Sequence, residues 1–249
     1  MVILKSRQEI EKMRKSNALV AVILEELAKK IRPGVKTIEL DRLSEQMALK
    51  RGARPAFKGY RGYPYSLCTS VNSEVVHGMP SERELMEGDI VSLDFGVLHD
   101  GYYGDAAVTV PVGEISPAAR RLLRVTEEAL YRGISEARAG NRIGDISAAI
   151  QGHVEAAGFS VVRDLVGHGI GKSLHEDPQV PNYGSSGRGI ELKPGMVFAI
   201  EPMVNEGTYR VDVLRDGWTV VTADGKLSAH FEHSVAVTEN GPVILSRID

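Results

Sequence analysis

Gly88-Asp89-Ile90-Val91-Ser92-Leu93-Asp94-Phe95-Gly96-Val97-Leu98-His99-Asp100-Gly101-Tyr102-Tyr103-Gly104-Asp105 reads as two strands joined by a tight turn. Asp94 closes the apolar run Ile90 to Leu93, Asp105 lies on the run through Tyr102, Val108 and Val110, and Leu98-His99-Asp100-Gly101 has hairpin chemistry. With either His99-Asp100 or Asp100-Gly101 as the two-residue loop, cross-strand partners have an odd residue sum. Asp94 and Asp105 then share one sheet face, directly or diagonally opposed. Two carboxylates among apolar strand residues repel unless they share protons or cations.

The same pattern returns downstream. Gly195-Met196-Val197-Phe198-Ala199-Ile200-Glu201 parallels Gly88 to Asp94, again a strand-like run ending on an acid. Helices repeat as well. Ser6 and Glu9 form a capping box, and Ile10, Met13, Val20, Leu24, Leu27 and Ile31 keep a helical period until Arg32-Pro33-Gly34, predicting a helix over 6–31. A second helix is predicted from Thr37 to Gly52, with Glu39 and Asp41 in its first turn where the helix dipole favours anions. Ser116-Pro117 opens a third helix to about Ala137, and after Arg138-Ala139-Gly140 a fourth ends at Gly158. Arg32, Gly34, Glu39, Leu40 and Gly52 correspond to Arg138, Gly140, Asp145, Ile146 and Gly158. The expected architecture is α+β: one domain spanning 1–249, in two related halves of about 1–113 and 114–249. Short turns between the runs predict a mainly antiparallel sheet with helices over one face.

Bulk properties exclude several classes. The 249 residues are 43% hydrophobic and 25% charged, ordinary for a globular chain with a sizeable core. A net charge of −3 argues against a nucleic-acid binder, which carries a clustered basic excess, so no sequence-specific nucleic acid is expected as a partner. Met1 to Arg7 offers no apolar signal core and no run of eighteen apolar residues occurs, so no membrane is expected and a cytoplasmic chain is. Cys68 is the single cysteine, so a thiolate cage is impossible and any metal must be held by oxygen and imidazole.

Glu201 and Glu232 each sit in an apolar run, the latter in Ala229 to Val237, which reads as one strand. In Gly167-His168-Gly169-Ile170-Gly171-Lys172-Ser173-Leu174-His175-Glu176-Asp177-Pro178 the glycines strip bulk from around His168 and would let backbone approach a ligand, making His168 a candidate ligand. Gly171-Lys172-Ser173 matches the end of a phosphate-binding loop, but that loop needs a glycine where Val166 stands and a following helix that Pro178 and Pro181 oppose. His99, His153, His230 and His233 read as surface or packing residues, although alternation puts His230 on the face of Glu232.

Asp94, Asp105, His168, Glu201 and Glu232, in this order and with these flanks, resemble the ligand set of the methionine aminopeptidases over nearly the whole chain. The resemblance is to the short bacterial form of the first type and implies the pita-bread fold, two pseudo-symmetric halves around a curved sheet. By resemblance Asp94 chelates one divalent ion, Asp105 and Glu232 bridge two, and His168 with Glu201 completes the other. Four carboxylates and two M²⁺ sum to zero charge, which makes their burial affordable. The donor set suits Mn²⁺, Fe²⁺ or Co²⁺ and also admits Zn²⁺. Two such ions about 3.5–4 Å apart lower the pKa of a shared water toward about 7, which provides hydroxide for peptide hydrolysis. The resemblance implies Glu201 as proton shuttle and ligand, and places His77, in Asn72 to Pro80, and His175 beside the substrate as catalytic and substrate-binding groups. It implies a pocket for the first side chain walled by Tyr60, Tyr63, Cys68, Leu174 and Trp218. Phe57 and Leu174 depart from the family pattern, which often has cysteine and phenylalanine there.

The implied activity is that of a methionyl aminopeptidase removing the initiator methionine from nascent polypeptides whose second residue is small. Such a chain is expected to be monomeric, with the ribosome as a further partner through basic runs such as Lys29-Lys30-Ile31-Arg32 and Arg120-Arg121. The alternatives are a proline-type aminopeptidase or dipeptidase of the same fold, whose usual extra N-terminal domain does not fit before Asp94, and a non-catalytic peptide-binding relative.

Overall fold

The Ser6 hydroxyl accepts from the Glu9 backbone N–H at 3.3 Å while the Glu9 carboxylate accepts from the Ser6 N–H at 2.9 Å, so the predicted capping box starts the first helix. The structure is a computed structural model that describes residues 2–248. Helices α1 (Arg7–Ala28) and α2 (Thr37–Lys50) precede strands β1 (Arg54–Pro55), β2 (Leu67–Val71), β3 (Glu74–Val76), β4 (Ile90–His99) and β5 (Tyr102–Pro111). Helices α3 (Pro117–Glu136) and α4 (Ile143–Ala156) open the second half. After them come β6 (Ser160–Val161), β7 (Gly167–Gly169), β8 (Glu176–Val180), β9 (Val197–Ile200) and β10 (Met203–Asn205). The chain ends with β11 (Val211–Val213), β12 (Val220–Thr222), β13 (Ser228–His230), β14 (Glu232–Thr238) and β15 (Gly241–Ile244).

The central sheet has nine strands, ordered β1-β4-β5-β14-β9-β7-β8, with β2 also on β4 and β15 also on β14. Every strand pairing among the described residues is antiparallel. The β4–β5 hairpin turns on Asp100-Gly101, both at positive φ (49° and 80°), the conformation that lets two residues join strands with right-handed twist. Register then pairs Asp94 with Ala107 and Gly96 with Asp105, so the two acids are diagonal neighbours on one face.

Alternation decides what each face does. Val91, Leu93, Phe95 and Val97 of β4 form a core with Leu24, Leu27 and Leu40 of α1 and α2. Phe198, Ile200, Val235 and Val237 do the same with Leu122, Leu130, Ile146 and Ile150 of α3 and α4. The positions between them, which include Asp94, Asp105, Glu201 and Glu232, are thereby left on the face away from the helices.

The two halves share their turn bonding. Gly34 N–H donates to the Leu85 carbonyl and Gly140 N–H to that of Leu192, at 2.8 and 3.0 Å. The return bonds, Leu85 N–H to Val35 and Leu192 N–H to Asn141, match as well. Gly34 and Gly140 both need positive φ, 85° and 90°, which explains glycine at each.

Three local expectations need correction. Asp41 does not serve the dipole of α2: it is buried and accepts from the N–H groups of Ser66 and Leu67 at 2.7 and 3.0 Å, anchoring the chain where it enters β2. Ala229 to Val237 is not one strand but two, because Phe231 breaks it; β13 pairs with β10, and β14 joins the central sheet. Gly167 and Gly169 serve strand packing, since a Cβ would overlap the Ala199 carbonyl oxygen at one and the Asp177 carbonyl oxygen at the other.

Candidate metal centre and substrate pocket

A pocket of about 290 Å³ opens on the face away from the helices, and its lining includes Asp94, Asp105, His168, Glu201 and Glu232. His77, His175, Tyr60, Tyr63, Cys68, Leu174 and Trp218 line the same pocket, so the fold brings together every candidate site residue read from the sequence. The four acids come from β4, β5, the end of β9 and the start of β14, adjacent strands whose register stacks them. Gly96 makes the space: a side chain there would meet Phe57, Ala56 and the Asp105 carboxylate.

Donor atoms of Asp105, His168 and Glu232 lie within 4.8 Å of one another, and all three residues are buried. His168 Nε2 is 4.0 Å from Asp105 Oδ2 and 3.6 Å from Glu201 Oε1. The other ring nitrogen, Nδ1, bonds the Gly169 carbonyl at 2.9 Å; a carbonyl only accepts, so Nδ1 is the donor there and Nε2 is the ring atom turned toward the acids. Asp94 Oδ1, Asp105 Oδ1 and Glu232 Oε1 are buried with no hydrogen-bond partner among the described residues. Unpaired buried carboxylate oxygens are costly, and two imidazoles, His168 and the buried His230 3.6 Å from Glu201, cannot neutralise four acids. Divalent cations satisfy both demands, so the residues fit the metal centre.

Protonation reports the same strain. Burial pushes Asp94 and Glu201 up to about 7, with the proximity of His230 partly opposing the shift at Asp94 and that of His168 at Glu201. Asp105 and Glu232 are driven well above the carboxylate range, by burial first and then by neighbouring acids. A carboxylate whose folded pKa exceeds its unfolded value of about 4 supports stability below that value and loses it as pH rises through the folded pKa. Chelated protein is therefore expected to lose thermal stability between about pH 5 and 8, while metal-loaded protein holds its Tm. A Tm of chelated protein that is flat across this interval contradicts the reading.

Imidazoles and aromatic rings wall the rest. His175 Nδ1 lies 2.9 Å from the Tyr60 hydroxyl, their rings stack at 5.3 Å, and the His175 ring is 4.1 Å from that of His168. Tyr63 packs edge-on against Trp218 at 5.1 Å, and its hydroxyl donates to the Leu67 and Gly78 carbonyls, tying β2 to the turn that carries His77. Burial, with a smaller contribution from His230, lowers His77 to about 4. Desolvation, then His168, Arg61 and His77, holds His175 below the ordinary range. Both rings are neutral at pH 7.

Sequence reasoning undervalued His230. It is buried, both ring nitrogens lack a partner among the described residues, and Nε2 lies 3.6 Å from Glu201 Oε2. Alternation points to it through the face it shares with Glu232, and the acid its ring approaches is Glu201. His233 is a packing residue, with Nδ1 2.9 Å from Ser246 Oγ, and His153 meets Glu128 at 3.0 Å on the helix surface.

Residues 11–239 match the model of metallopeptidase family M24. The methionine aminopeptidase of Clostridium perfringens is 57% identical over 248 residues, covering 100% of both chains. This chain belongs to the methionine aminopeptidases of family M24. A crystal structure of the methionine aminopeptidase from Thermotoga maritima superposes with a TM-score of 0.98 at 51% identity, each chain fully covered. Prolidase from Pyrococcus furiosus, at 24% identity and a TM-score of 0.80, shares the fold alone, and this chain covers 66% of it. The architecture is thus the pita-bread fold, with two pseudo-symmetric halves and a curved antiparallel sheet.

Proposed function

We propose that this metalloaminopeptidase acts as one catalytic domain, in two halves of about 1–113 and 114–249, that removes methionine from nascent N-termini when the second residue is small. The observation carrying the reading is the convergence of four acids and His168 at the floor of a pocket whose walls are apolar and aromatic. Two divalent ions per chain, Mn²⁺, Fe²⁺, Co²⁺ or Zn²⁺, would be held by Asp94, Asp105, His168, Glu201 and Glu232. When bound they supply Lewis acidity, polarising the scissile carbonyl and acidifying the attacking water.

The chain's own groups do the rest. Glu201 accepts a proton as water attacks and returns it to the leaving amine. His77 and His175, both neutral, offer hydrogen bonds to the peptide nitrogen and carbonyl oxygen as charge develops on them. Tyr60, Tyr63, Cys68, Leu174 and Trp218 hold the first side chain; aromatic edges and a soft thiol suit a flexible thioether, and none of them offers charge to a lysine or glutamate substrate. The enzyme acts in the cytoplasm as a monomer on chains leaving the ribosome; no helix among the described residues is long and apolar enough to cross a membrane.

Peptide series test this. Met-X-Ser peptides should be cleaved when X is Ala, Gly or Ser, and in an X-Ala-Ser series methionine should win, with norleucine slower by the roughly 1–3 kcal/mol that one altered pocket contact costs. Equal cleavage of Leu-Ala-Ser and Met-Ala-Ser, or preference for proline second, would sink the assignment.

A further inference from the structure

The loop joining β7 to β8 carries His175 on one side of a buried ion pair. Lys5, in the segment just before α1, donates from Nζ to Glu176 Oε2 at 2.7 Å, and the two side chains are only 4% and 7% exposed. The other Glu176 oxygen accepts from the Ser173 N–H at 3.2 Å, closing the loop on itself. The pair packs directly on backbone, since a Cβ at Gly171 would meet both the Glu176 carboxylate and Lys5 Cε. Lys5 is itself fixed: its N–H donates to the Gly195 carbonyl at 2.7 Å, at the turn that leads into β9 and Glu201. The Tyr103 N–H holds the Gly171 carbonyl at 2.8 Å from the β5 side.

We infer that Lys5 is a positioning residue for His175: through Glu176 it fixes the loop 170–176, and so the imidazole that stands between Tyr60 and His168. This rests on the role proposed for His175. A charge pair taken this far out of water gains nothing dependable for stability over an apolar pair of similar volume. Its distinctive property is a single geometry, since Glu176 has one oxygen on Lys5 and one on Ser173, and the residue thus fixed is the neighbour of His175. Misplacement of a catalytic group by about 1 Å costs up to roughly 10²-fold in rate.

The test is a double-mutant cycle on metal-loaded protein, with methionine release from Met-Ala-Ser as readout and melting temperature and bound metal measured alongside. Lys5→Met should lower kcat by roughly 10–100-fold with metal content unchanged, and Lys5→Arg should recover most of it. In a His175→Ala background, adding Lys5→Met should cost less than about twofold further, because the group it positions is gone. If Lys5→Met does not fold, Glu176→Gln, which keeps the acceptor for Ser173, takes its place with the same expectation. Equal fold losses in both backgrounds, or an unchanged kcat in the single variant, overturn the positioning role. A silent His175→Ala overturns the role given to His175, and this inference with it, whereas an additive cycle with a damaging His175→Ala overturns this inference alone.

Discussion

Dialysis against a chelator is expected to reduce methionine release to background, and Mn²⁺, Fe²⁺ or Co²⁺ to restore it while Mg²⁺ does so poorly. The reason lies in the donor set. Asp94, Asp105, Glu201 and Glu232 converge where burial, joined at Asp105 and Glu232 by the neighbouring acids, drives their proton affinities up, and one oxygen each of Asp94, Asp105 and Glu232 has no hydrogen-bond partner among the described residues. His168 turns its Nε2 to the same space, its Nδ1 being held by the Gly169 carbonyl. An imidazole in the set favours transition metals over Mg²⁺, which prefers oxygen donors and retains its waters. Full turnover in metal-free protein refutes the account of this centre.

His77→Ala is expected to lower kcat by about 10²–10³-fold and to change KM little, the signature of a hydrogen bond made in the transition state more than in the ground state. The structure spends conformational energy on this residue. His77 has φ 58°, a left-handed conformation uncommon outside glycine although His, Asn and Asp adopt it more often than other residues, and the next residue allows no Cβ because Gly78 lies against the Thr69 carbonyl. Thr69 N–H donates to the Gly78 carbonyl at 2.9 Å, and Gly78 N–H donates to Ser70 Oγ at 3.1 Å, so the turn is tied to β2 from both sides. Trp218 packs edge-on to the imidazole at 6.3 Å. An unchanged kcat would leave His77 as a packing residue.

What could be read from sequence followed the reach of the interactions. The β4–β5 hairpin was legible because Asp100-Gly101 sets the turn and the turn sets register, so the diagonal placement of Asp94 and Asp105 needs only counting. The capping box at Ser6 and Glu9 and the Pro117 start of α3 are equally local. The repeat was legible through glycines at positive φ, such as Gly34 and Gly140, where chemistry restricts the choice. Long-range choices were hidden. Asp41 looked like a dipole residue because its partners, Ser66 and Leu67, lie 25 and 26 residues on. Gly167 and Gly169 suggested access for a ligand, but the space they give up is taken by neighbouring strands. The Lys5–Glu176 pair spans 171 residues and has no local signal at either end. Period-two alternation points to His230 through the face it shares with Glu232, but its 3.6 Å approach to Glu201, 29 residues away in sequence, has no local signal.

The claim that this carboxylate-lined pocket is a metal-dependent methionine aminopeptidase site is tested most directly by one sample measured twice. Elemental analysis counts the bound metal, and chromatography of the same protein after incubation with Met-Ala-Ser identifies the products. The account predicts two divalent ions per chain and free methionine plus Ala-Ser, with turnover falling in step with metal as the ions are removed. Intact peptide at full metal loading, release of Met-Ala rather than methionine, or undiminished turnover without metal would contradict it.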